Sequence, residues 1–224
     1  MTVWDDPVGF DPMKDGPPYL GTDKPRVASV SKSVGGRVAS ELAPDVLAAV
    51  RGWATQCLEA CGDQPRVELS VVVKALQGAA MIHQGNHWQV AGPTYYGDHL
   101  LFQRLYEDTD GFVDGVAEKA VGTGTPMLVN PVLQSSQVSS FVATLYPGVV
   151  QLSETDMVIV SQNTVLAVLF LLGWAIKSLE YRGQLTNGID NMLQGIADKH
   201  EEFAYLLQQR LAHTSSEETS KWKR

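Results

Sequence analysis

Residues His87 to Glu118 read HWQVAGPTYYGDHLLFQRLYEDTDGFVDGVAE, and the rest of the fold is arranged around them. Two histidines stand on either side of an Ala91-Gly92-Pro93 break, which ends one helix and lets another begin. From Thr94 the pattern predicts a long helix to about Val121. Along it His99, Gln103, Glu107, Asp110, Asp114 and Glu118 follow at steps of four or three, which keeps them on one face. A globular helix normally turns apolar residues inward at these steps. A file of imidazole, amide and carboxylate has three explanations: a solvated face, an ion-pair network or a metal site.

Upstream, a helix is expected from about Val67 to Trp88 with Leu69, Val72, Leu76 and Ala80 inward. His83 and His87 continue that face four residues apart, so they read either as satisfied core histidines or as imidazoles sharing a metal. Trp88 is expected to pack beside the site. Earlier still, Pro44 suits the first turn of a helix, and Val46, Leu47, Val50, Ala54, Cys57, Leu58 and Cys61 trace an apolar stripe that Gly62 can close. Both cysteines belong to the stripe and read as buried structural thiols. Residues 1–40 hold no persistent period and are rich in Pro, Gly and Ser, so they read as a flexible N-terminal extension. Acids lead it, and Lys24, Arg26, Lys32 and Arg37 follow. That basic run is either solvated or an arm for DNA or a neighbouring subunit.

Downstream, Gly122, Gly124 and Pro126 stop the long helix. Asn130-Pro131 is a cap with Pro at the first helical position, opening a short helix to about Ala143. After the Tyr146-Pro147-Gly148 turn, Ser153 and Asp156 form a capping box with Asp for Glu. The helix they open should reach Tyr181 and lie deepest in the protein. A last helix from Asn187 to His213 turns Leu193, Ile196, Phe203, Leu206 and Leu207 inward. The chain then reads as a polar tail over 214–224. The fold class expected is all-α: a four-helix bundle over 41–213, with a short helix in the middle connection and an extra N-terminal helix.

A chain of 224 residues, 44% hydrophobic and 19% charged, can bury a full core. A net charge of −8 argues against a surface that grips nucleic acid everywhere and attracts cations instead. Met157 to Ile176 is apolar, but Ser161-Gln162-Asn163-Thr164 interrupts it, so a buried helix is expected rather than a membrane span. The opening MTVWDDPVGF has no basic start and no long apolar run, so no secretory signal is expected in it. Two cysteines make no disulfide framework, and a reducing, cytoplasmic location is expected.

The run of HW, a Gly, a second His twelve positions after the first, and an acidic pair four apart in a helix resembles the Dps-type mini-ferritins, over about Val67 to Leu211. The resemblance implies a ferritin-like four-helix bundle with iron-oxidising (ferroxidase) and iron-storing activity. Its di-iron site lies between two subunits related by a two-fold axis. Carried over, the catalytic and metal-binding positions are His87, His99, Asp114 and Glu118. Gln103 stands where the family usually has Asp, and His83 is a possible substitute ligand. The implied reaction oxidises Fe(II) with hydrogen peroxide and stores ferric mineral in a dodecameric cage, protecting against oxidative damage. Entry pores at the three-fold axes are acid-lined, with Asp190 and Asp198 as candidates. Mixed nitrogen and oxygen donors suit Fe(II), with zinc and other divalent metals as competitors. The alternative is a DNA-binding shell with a structural or vestigial metal site. Its contacts would be the N-terminal basic run together with Lys221, Lys223 and Arg224.

Overall fold

The computed structural model describes residues 42–148 and 150–221, from 213 onward by backbone alone. The N-terminal extension, with Lys24, Arg26, Lys32 and Arg37, lies outside the described residues, as do Lys223, Arg224 and the side chain of Lys221. Among the described residues every regular element is helical. The order is α1 (Pro44–Cys61), α2 (Val67–Gln89), α3 (Tyr95–Thr123), a 3-10 turn (Pro126–Val129), α4 (Pro131–Leu145), α5 (Glu154–Tyr181) and α6 (Asn187–Lys221).

The short Val90–Thr94 link makes α2 and α3 an antiparallel hairpin, and α5 and α6 form the second. The α2–α5 contact joins the hairpins into a four-helix bundle, and α1 and α4 pack together on the outside of α2. Covered on all sides, α2 buries nearly every residue from Val67 to Ala80. Helix α5 is the one described helix long and apolar enough to cross a membrane, but 72% of its most apolar window is buried within the bundle. At about 1.5–3 kcal/mol per buried large aliphatic, side chains such as Leu69, Leu76, Leu169, Leu171 and Leu172 supply the drive for this packing.

Local chemistry sets the ends. Asn130 accepts from the backbone N–H groups of Val132 and Leu133, with Pro131 at the first helical position. Ser153 and Asp156 make the reciprocal capping box that opens α5. Gly78 lets α4 approach, because a Cβ there would overlap the Phe141 ring. That ring lies 4.7 Å from Trp53, whose indole N–H donates to Gln137 O at 2.9 Å, tying α1 to α4.

Two ends differ from expectation. The chain after α3 forms a 3-10 turn, because Pro126 is tolerated at a helix start. Helix α6 continues past His213 to Lys221, since the polar stretch there contains neither Gly nor Pro to stop it.

Candidate metal centre

His87 lies in the last turn of α2, where backbone carbonyls lose their intrahelical partners. The His99 ring takes up that vacancy: its Nδ1 lies 3.0 Å from His87 O, while His87 Nδ1 lies 2.9 Å from His99 O. A carbonyl only accepts, so each Nδ1 carries a proton, and in the neutral ring Nε2 keeps its lone pair. Neither Nε2 has a hydrogen-bond partner among the described residues. The rings stack with centroids 3.7 Å apart and planes 23° from parallel. Tyr95 stacks on His99 at 4.9 Å, and Tyr106 meets His87 edge-on at 5.3 Å. The result is an aromatic column with two metal-ready nitrogens. This is how imidazole ligands are usually oriented, by an acceptor that holds the N–H of the other ring nitrogen.

The segment between the histidines is fixed from outside. Gly92 has φ +99, and a Cβ there would overlap the Glu154 carboxylate. The Thr94 hydroxyl bridges Asp98, at 2.7 Å, and Glu154. Arg210 of α6 closes the cluster, with Nε 2.7 Å and Nη2 3.0 Å from the two Asp98 oxygens. The sequence does not single out Tyr95, Tyr106, Asp98, Arg210, the helix-opening Thr94 or Glu154 as parts of this site. A Thr94–Asp98 spacing of four was the only local signal, and Arg210 lies 112 residues from Asp98.

The polar file continues down α3. Gln103 donates its amide to Glu107 at 2.8 Å, and Tyr106 O–H lies 3.4 Å from the same carboxylate. Partial desolvation and that carboxylate push the Tyr106 phenol above its ordinary range. Asp114 and Glu118 are exposed farther along the helix. At 1.5 Å per residue the rise from His99 to Asp114 is about 22 Å, so one chain does not bring the carboxylates to the imidazoles. Among the described residues no cluster of three or more His, Cys, Asp or Glu could hold a metal ion.

Other candidate residues sit apart. His83 is wholly buried and turned into the bundle, with Nδ1 3.2 Å from Ser161 Oγ. Burial, together with the charge of buried His200, lowers its pKa to about 3. His200 donates to Ile196 O at 2.9 Å, and burial lowers it to about 4. Each leaves Nε2 without a partner. Asp190 accepts from Gln194 at 2.7 Å, and Asp198 is exposed on α6. Trp88, expected to pack beside the site, is 71% exposed, because its place at the end of α2 faces no other helix among the described residues. Cys57 and Cys61 are buried free thiols, as expected.

No family model matches the chain, and no curated protein does. Among solved structures, Dps from Thermosynechococcus elongatus superposes with a TM-score of 0.54 at 18% identity, covering 70% of this chain and 94% of that one. Dps from Microbacterium arborescens, in its high iron form, gives 0.53 at 20% identity over 76% and 97%. The chain therefore has the Dps-type ferritin-like fold.

Proposed function

We propose that two copies of this chain pair antiparallel along α3 and oxidise Fe(II) at the two sites they share. Each site takes His87 and His99 from one copy and Asp114 and Glu118 from the other. The observation that carries this is the division of donors between the two ends of α3, with His87 joining from the end of α2. Two imidazoles present free Nε2 lone pairs at one end, and two exposed carboxylates wait about 22 Å away. A two-fold axis across α3 superposes opposite ends and joins the halves. The exposed apolar side chains Trp88, Tyr96 and Val132 suit a surface that a partner covers.

Iron is the substrate here. The imidazoles bind Fe(II), and the carboxylates offset its charge and favour Fe(III). Two ferrous ions give one electron each to hydrogen peroxide, which takes two protons and leaves as two waters. Ferric product is then stored inside a shell of further copies. The expected outcome is protection from oxidative damage.

Complementation between variants tests this. His87→Ala/His99→Ala and Asp114→Ala/Glu118→Ala subunits should each lose rapid peroxide-driven Fe(II) oxidation. Co-expressed, they should recover a substantial part of it, because a mixed dimer rebuilds one of its two sites. Assembled but inactive mixtures would exclude a site shared in this way.

A further inference from the structure

Where α1 ends against α2, three side chains meet without touching the candidate metal centre. Ser70 and Lys74 lie one turn apart on α2, and Cys61 is the last residue of α1. The Ser70 hydroxyl donates to Leu128 O at 2.6 Å, so its proton is committed. Its oxygen accepts from Lys74 Nζ at 2.7 Å and lies 3.4 Å from Cys61 Sγ, whose S–H is then the donor. Lys74 Nζ also lies 3.4 Å from Cys61 Sγ. Lys74 and Ser70 are fully buried, and Cys61 keeps 4% of its surface.

No carboxylate lies within ion-pair distance of Lys74 among the described residues. Burying an amine that way is costly, and Leu or Met would fill the same volume without the cost. Among the described residues, the Cys61 sulfur in contact with Nζ can take its proton and, once oxidised, can accept its lone pair. Cys57, one turn earlier, differs. Burial outweighs the nearby Lys74 and pushes its thiol up to about 12, so it stays protonated and inert.

We propose that Cys61 and Lys74 form an oxidative cross-link, a sulfenamide joining Sγ to Nζ, when the protein meets hydrogen peroxide. In the first step the sulfur attacks one peroxide oxygen, the O–O bond breaks, and the thiol proton leaves with the second oxygen as water. Sulfur is oxidised by two electrons to a sulfenic acid, and the peroxide is reduced. In the second step the Lys74 lone pair attacks that sulfur. The S–O bond breaks and the departing hydroxyl takes one amine proton as water. The sum is one thiol, one amine and one peroxide giving one S–N bond and two waters. Ser70 positions both partners on its single oxygen. The bond ties α1 to the bundle, shields Cys61 from further oxidation, and is reversed by an added thiol. It goes beyond the iron chemistry above and does not depend on it.

The test treats the full-length, iron-free protein with hydrogen peroxide, blocks remaining thiols under denaturing conditions, and reads intact mass and a tryptic map. The expected product has lost two hydrogens, and only Cys57 takes the blocking reagent. Cleavage after Lys74 disappears and one peptide joins Cys61 to Lys74, all restored by dithiothreitol. Cys57→Ala should behave the same, whereas Lys74→Met should stop at oxygen adducts of Cys61. A Cys57–Cys61 disulfide, an adduct that retains oxygen in the unaltered protein, or two thiols still free after treatment would each overturn the assignment. All three are readable without any variant.

Discussion

Arg210 holds Asp98 with two prongs, Nε to Oδ1 at 2.7 Å and Nη2 to Oδ2 at 3.0 Å, and so anchors the residue next to His99 to the last helix. The pair is nearly sealed from water, with side-chain exposures of 16% and 2%. Removing one member of such a pair strands the other's charge. Arg210→Met should therefore lower unfolding free energy by about 3–5 kcal/mol, and Asp98→Asn with it should recover part of the loss. Denaturant titration of the single and double variants measures this. Equal losses in both would mean the pair is not coupled.

Gly92 should resist substitution. Gly92→Ala forces a side chain into φ +99 and into the Glu154 carboxylate, which should cost about 1–3 kcal/mol. The same change should weaken metal binding at His87 and His99, because Gly92 sets the turn that stacks them. Thermal melts and metal titration of this variant check both effects.

Acid should destabilise the bundle through its interior. His83 and His200 have folded pKa values of about 3 and about 4, below the ordinary 6.5, chiefly from burial. With folded values depressed, the unfolded chain binds more protons, so stability rises with pH. Their contribution is fully present above about pH 6.5 and is lost as pH falls from there toward 3–4. The summed effect is of the order of several kcal/mol. His200→Leu should flatten the dependence of urea midpoint on pH between 7 and 4. An unchanged slope would place the acid sensitivity elsewhere.

Gln103 offers a neutral amide oxygen where a carboxylate would offset a cation's charge, and its amide nitrogen already donates to Glu107. Gln103→Asp should tighten Fe(II) binding and speed its oxidation severalfold. Stopped-flow absorbance at fixed peroxide measures the rate. No change would mean that position 103 does not face the metal.

Order and type of the helices, and most of their bounds, were legible in the residues themselves, because each signal is local. Pro44, the Asn130-Pro131 cap, the Ser153/Asp156 box and the glycines at 62 and 92 act within a turn of where they stand. The histidine spacing likewise drew attention to the right end of α2. What spacing left open was direction. His83 and His87 lie four apart, a rotation of only about 40° on a helix, yet one is sealed in the bundle beside Ser161 and the other stacks on His99 at its rim. Which side of that small angle is buried depends on where α3 and α5 pack, and no window around either residue contains that. The same holds for Arg210 on Asp98, Glu154 on Thr94 and Lys74 on Cys61, whose partners meet only once the helices have docked. The chain's own letters determined the helices. Their packing alone decided which polar groups face one another, because burial and hydrogen-bond reach are set by distance in space rather than along the sequence.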